Sequence, residues 1–204
     1  MSVDMKTLLI AARDTVQHPR AGARAMIDLG LPITIGGLAL VLMAVVSAGM
    51  AAVLYAVFPI AADEADAAGP QVALLKQILT NPLQLAMVQV FILAVGAFLI
   101  YRIGKVFGGA GRLPDAVALL AWLEFILLLL QVAQTVAMVF SPPMSEAIGL
   151  FGFVIFLWLL SNFTAELHGF SSVFTTFLGI VGSVIVLTFA AAVLLALMIG
   201  GRVP

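Results

Sequence analysis

Long uncharged runs, separated by short polar segments, set the pattern of this chain. No charged residue occurs from Leu29 to Ala62, from Gln77 to Tyr101, from Ala147 to Ala165 or from Gly169 to Gly201. Between Ala116 and Ser145 only Glu124 interrupts. A helix needs roughly 20 apolar residues to cross the hydrocarbon core of a bilayer. In lipid every backbone group must be paired internally, so such runs are helices or the strands of a closed barrel. Barrel strands alternate polar and apolar residues, and stretches such as Ile126–Leu130 and Val184–Leu187 do not. The pattern predicts an all-α fold, a polytopic membrane helix bundle of five transmembrane helices. The spans fall at about 33–58, 83–106, 115–140, 146–165 and 172–199, within a membrane domain over 31–204.

Residues 1–30 differ from the rest. Met5, Leu8, Leu9, Ala12 and Val16 recur at helical spacing, with Lys6, Arg13 and Gln17 away from that face. Pro19 ends this pattern and can open a second short helix. There Arg20, Arg24 and Asp28 stand four apart, while Ala23, Met26 and Ile27 share the other side. Helices of this kind lie in the membrane interface, basic side toward the headgroups. Leu8, Leu9, Val16 and Met26 are therefore expected to enter the lipid, and Arg20 and Arg24 to meet anionic headgroups.

Local signals set the boundaries. An acidic link (Asp63, Glu64, Asp66) follows the first span, and 71–79 reads as a short amphipathic helix. Asn81-Pro82 is a helix start, with Asn81 as N-cap. Gly108, Gly109 and Gly111 suggest a sharp loop before Pro114. Pro142-Pro143 suggests a tight turn, Ser145 a cap for the fourth span, and Ser171 or Ser172 the start of the fifth. Glu166 and His168 then fall in the short loop after span four.

Composition sharpens this picture. Of 204 residues, 64% are hydrophobic and 9% charged, against about 25% charged in soluble domains. Five spans leave no room for a soluble catalytic domain. A net charge of −1 without a large basic surface gives no reason to expect nucleic acid. The absence of cysteine excludes disulfides and thiolate chemistry. Lys6, Arg13, Arg20, Arg24, Arg102, Lys105 and Arg112 lie on one predicted side, Lys76 and Arg202 on the other. By the positive-inside rule the N-terminus is cytoplasmic and the C-terminus outside.

Few residues carry candidate chemistry. Glu124 lies within span three, where a carboxylate costs about 2.5 kcal/mol or more to insert. It should face the bundle interior, with Gln131 and Thr135 on the same stripe. Arg102 and Asn162 are its candidate partners. A buried proton or ion site is one reading, a register-fixing structural pair the other. Glu166 and His168, with no second histidine nearby, lack the ligands a metal site needs. Trp122 and Trp158 lie deep in their spans and are expected to pack inside. No cofactor or metal is expected.

Tyr101-Arg-Ile-Gly-Lys-Val-Phe-Gly-Gly-Ala-Gly-Arg-Leu-Pro-Asp-Ala-Val-Ala-Leu-Leu-Ala-Trp122 resembles the corresponding stretch of the Yip family, five-span membrane proteins named for their interaction with Ypt/Rab GTPases. The shared features are an aromatic residue, a basic-aliphatic stretch, Phe-Gly-Gly, and a short loop leading to an apolar helix with an early aromatic. Pro19–Arg24 ahead of Leu31-Pro32 is similar to bacterial members. The resemblance implies a non-enzymatic membrane scaffold or trafficking-like factor acting through lipid or protein contacts, in a bacterial inner membrane. Its partners would be membrane lipids, and further copies of itself or other membrane proteins. Small-GTPase binding is not expected, because eukaryotic members use a longer N-terminal region for it. Two other readings stand beside this one: a small transporter or permease subunit built on Glu124, and an accessory subunit of a larger membrane complex.

Overall fold

The structure is a computed structural model that describes residues 4–57, 77–78 and 81–200. Among these residues it is all helical: α1 (Met5–Gln17), α2 (Pro19–Asp28), α3 (Ile33–Val57), α4 (Pro82–Val106), α5 (Leu113–Phe140), α6 (Pro142–His168) and α7 (Val173–Gly200). The last five are long and apolar enough to cross a bilayer. The acidic link after span one lies outside the described residues. So does the helix expected over 71–79, apart from Gln77 and Ile78, which are helical.

Helix starts follow the capping chemistry. Asn81 Oδ1 accepts hydrogen bonds from the backbone N–H groups of Leu83 and Gln84, both at 3.1 Å, so two orphan donors of α4 are satisfied. The α5–α6 junction is tighter than the sequence suggested. Pro142 and Pro143 do not form a turn but begin α6, where a missing N–H costs nothing. The cap is Ser141, whose Oγ accepts from the Met144 N–H at 3.4 Å, and Ser145 is buried inside the helix. The far end of α6 also runs on beyond Ala165, to His168. It closes in a Schellman motif: Gly169 adopts φ 73°, the Phe170 N–H reaches Ala165 O at 2.8 Å and the Gly169 N–H reaches Glu166 O at 3.3 Å.

Helix α5 is the centre of the bundle, packed by α3, α4 and α6, while α7 lies mainly against α6. Leu123 on α5 and Leu159 on α6 are fully buried. Small residues let the helices approach: Ala44, Ala48 and Ala97 are sealed against neighbours, and a Cβ at Gly36 would lie 3.4 Å from the Ala118 backbone N. Lipid tails are as apolar as leucine, so this contact comes from close van der Waals fit rather than from escape from water. In the most apolar 18-residue stretch of α5, 44% of residues are buried, against 6% in α7.

The N-terminal helices are docked on the bundle. Helix α2 packs against α6 and α5, and α1 folds back onto α2. Gly22 permits that return, since a Cβ there would lie 2.6 Å from Thr15 Cγ2. Val16 and Met26 pack on the bundle core, so they are not free to enter lipid. Trp122 Nε1 donates to Thr15 Oγ1 at 3.2 Å, and Trp158 Nε1 donates to Val16 O at 3.4 Å. Trp122 also stacks on Phe125, with centroids 5.2 Å apart. Trp158 does not pack inside as expected. It is 47% exposed, because its indole turns outward to reach α1.

Candidate functional site

Among the described residues, a dense polar arrangement lies at the end of the bundle beside α2, built on the last turn of α6. Glu166 and His168 are two residues apart on a helix, so they point about 200° apart. Each meets a different neighbour. Glu166 faces α2, and its side chain is only 8% exposed. Arg20 Nε donates to its Oε2 at 2.9 Å, and Arg24 Nη2 pairs with its Oε1. Arg20 also donates to Phe170 O at 2.9 Å. Arg20 and Arg24 are one helical turn apart, which lets both guanidiniums reach one carboxylate. A nearly buried carboxylate is tolerable here because each oxygen has a cationic partner.

His168 faces the opposite way, into the α4–α5 loop, and is 3% exposed. Its Nδ1 accepts from the Gly111 N–H at 3.3 Å. That leaves Nε2 as the protonated nitrogen, and it donates to Ile100 O at 3.1 Å. The Ala110 N–H adds a bond to the His168 carbonyl at 3.2 Å. The ring stacks on Phe170, centroids 5.4 Å apart. One imidazole thus ties together the end of α4, the loop and the end of α6.

The glycines of this loop are explained by that ring. A Cβ at Gly111 would lie 2.7 Å from His168 Cε1, and Cβ atoms at Gly104 and Gly109 would overlap the imidazole still more closely. The sequence reading assigned the glycines to a sharp reversal. That explanation holds for Gly108, with φ 83°, whereas Gly104, Gly109 and Gly111 make room for the histidine.

The residues singled out from sequence separate into several places. Arg20 and Arg24, expected at lipid headgroups, both pair with Glu166. Glu166 and His168 are in the last turn of α6, not in a loop. Glu124 faces Gln89 on α4. Neither Arg102, which is exposed, nor Asn162, whose Nδ2 donates to Trp158 O at 2.8 Å, is its partner. Gln131 pairs with α3: Ser47 Oγ donates to its Oε1 at 2.7 Å, and its Nε2 donates to Ser47 O at 3.0 Å. Thr135 bonds back to Gln131 O at 2.8 Å. The stripe on α5 therefore makes separate cross-links to α4 and α3, not one polar site.

Sequence reasoning missed His168, Gln89 and Ser47. The signal for His168 was present: a charged and a histidine side chain immediately before Gly169 mark a helix C-terminus rather than a loop. Nothing in sequence spacing identifies Gln89 or Ser47, because their partners are on other helices.

No curated protein and no solved structure matches this chain. The family model described as the Yip1 domain matches residues 13–200, a stretch that takes in α2, all five apolar helices and the loop around His168. With nearly the whole chain matched, this five-span membrane protein belongs to the Yip family.

Proposed function

We propose that this protein is a non-enzymatic organiser of the bilayer that acts through lipid contacts. The observation that carries this reading is the one-sided docking of α1 and α2. Thr15 meets Trp122, Val16 meets Trp158, and Arg20 and Arg24 hold Glu166, all toward one end of α5 and α6. Among the described residues, α1 and α2 are two helices added at that end. Each helix has a diameter of about 10–12 Å. Such a body displaces more lipid from one leaflet than from the other and favours curved membrane. His168 supports the non-enzymatic part, since both its ring nitrogens are tied to backbone groups. Arg24, 63% exposed, keeps donors free for an anionic headgroup beside its bond to Glu166.

The test is sorting of the reconstituted full chain between flat vesicle membrane and a thin tube drawn from it. Enrichment in the tube that disappears in the Arg20→Ala/Arg24→Ala double variant is expected, and equal density in both membranes defeats the reading. The same proposal puts the α2 end in the cytoplasm, on the lysine and arginine asymmetry of the sequence. A reporter fused after Pro204 that is active only in the cytoplasm would reject that orientation.

A further inference from the structure

A slot of about 210 Å³ opens between α1, α5 and α6. Its walls are apolar, with Leu9 from α1, Ile126 and Leu130 from α5, and Phe151 and Ile155 from α6. The one charged side chain on it is Arg13. No carboxylate lines the slot, and Arg13 has no ion-pair partner among the described residues. Asp14, the next residue, is turned about 100° away around α1.

The position of the slot says what medium supplies it. Ile126 and Ile155 lie 13 residues inside their spans, roughly 20 Å along each helix from the α2 end. That is within the thickness of a bilayer. The slot has a direction as well. Thr15 and Val16 mark its shallow end through Trp122 and Trp158, and Leu9 marks its deep end. Arg13 is nearer the shallow end, and its long side chain can carry the guanidinium further toward the headgroups. An apolar slot with a single cation on its wall, unpaired among the described residues, is complementary to one kind of lipid molecule, an amphiphile with a hydrocarbon chain and an anionic head.

We propose that this slot holds one acyl chain of an anionic membrane phospholipid, with its phosphate paired to Arg13. The proposal deepens the reading of the protein as a lipid organiser and rests on it: the bound lipid would fill the seam that joins α1 to the bundle. Arg13 supplies selectivity, and the apolar walls supply the bulk of contact. Arginine suits the role because its planar fork binds phosphate bidentately.

The experiment is lipid retention by the purified full chain in detergent, read by native mass spectrometry. Phosphatidylglycerol and phosphatidylcholine with identical chains are the probes. The wild-type chain is expected to keep one phosphatidylglycerol with about tenfold preference, the size of one charge-assisted contact. Arg13→Ala should bring the two lipids within about twofold of one another. Leu9→Trp, at a half-exposed position on the slot wall, should reduce retention of both lipids while the Trp122–Thr15 contact survives. Equal retention of the two lipids by the wild-type chain overturns the proposal. So does a preference that survives Arg13→Ala and is lost in Arg24→Ala, which would move the headgroup contact to α2 and leave the organiser reading standing. Because this measurement uses no bilayer, its failure is separable from failure of the tube-sorting test.

Discussion

The last two turns of α6 and the whole of α7 are neighbours in sequence and opposites in packing. From Ser161 to His168 nearly every residue is buried. Along α7, Phe174, Val184, Ile185, Val186, Phe189 and Leu197 are all exposed. Yet α6 is the least hydrophobic of the five spans. Hydrophobicity therefore does not rank burial in this protein. In lipid an apolar side chain gains little by leaving the tails for a neighbouring helix. Buried position goes instead to residues with a specific claim: a polar group needing a partner, or a small residue allowing close approach. The end of α6 has Glu166, His168, Asn162 and Ser161, and α7 is apolar nearly throughout.

The largest effects should come from the histidine socket. His168→Leu strands the Gly111 N–H, a loss of about 1–3 kcal/mol, and removes the second bond to the Ile100 carbonyl, which keeps its place in the α4 ladder. Gly104→Ala forces a methyl into the ring and should cost about 1–3 kcal/mol. The pair gives a sharper test than either change alone. Unfolding of the full chain in micelles should show Gly104→Ala partly rescued in a His168→Ala background, and purely additive losses would mean that the ring does not set the glycine requirement.

Next comes the arginine–glutamate cluster. Glu166→Ala removes the anion shared by two cations and should cost about 1.5–3 kcal/mol, discounted because Arg20 and Arg24 are 40% and 63% exposed. It should also loosen α2 and then α1. The chain has only two tryptophans, and both donate to α1, so a change in indole emission would report the release. Unchanged emission with unchanged protease resistance of residues 4–28 would show that packing of Ala23 and Met26 alone holds the hairpin.

Within the bundle, Glu124→Gln should leave stability nearly unchanged, because an amide can still bond Gln89. Glu124→Leu should cost about 1 kcal/mol, the scale of polar contacts between membrane helices. Loss of a cellular phenotype in Glu124→Gln with the fold intact would instead favour a proton site. The smallest effect belongs to α7. Val186→Leu, on its exposed face, should fall within about ±0.5 kcal/mol of wild type. A larger loss would mean that this face of α7 meets a protein partner.

Much of the architecture could be read along the chain. Four uncharged runs and a fifth broken only by Glu124 give five spanning helices because backbone groups in lipid have no other way to be paired. Asn81-Pro82 gives the start of α4, because capping depends on residues within one turn. The repeat of Ala12, Val16, Ala23 and Met26 gives two short helices with one sticky face. The segment from Tyr101 to Trp122 also carries the family likeness. What the repeat could not give was the surface that face meets. Lipid and a neighbouring helix are equally apolar, so the periodicity of α1 and α2 is the same for either.

The sequence by itself determined the number of spans and the amphipathic character of the N-terminal helices, since each depends on contacts within about 20 consecutive residues. Only the tertiary structure decided the pairing of Arg20 and Arg24 with Glu166, of His168 with the loop glycines, of Glu124 with Gln89 and of Gln131 with Ser47. Those pairs join residues up to 146 positions apart. They are set by how helices cross, and in a bilayer the hydrophobic pattern that would reveal a crossing in water is the same on every side of a helix.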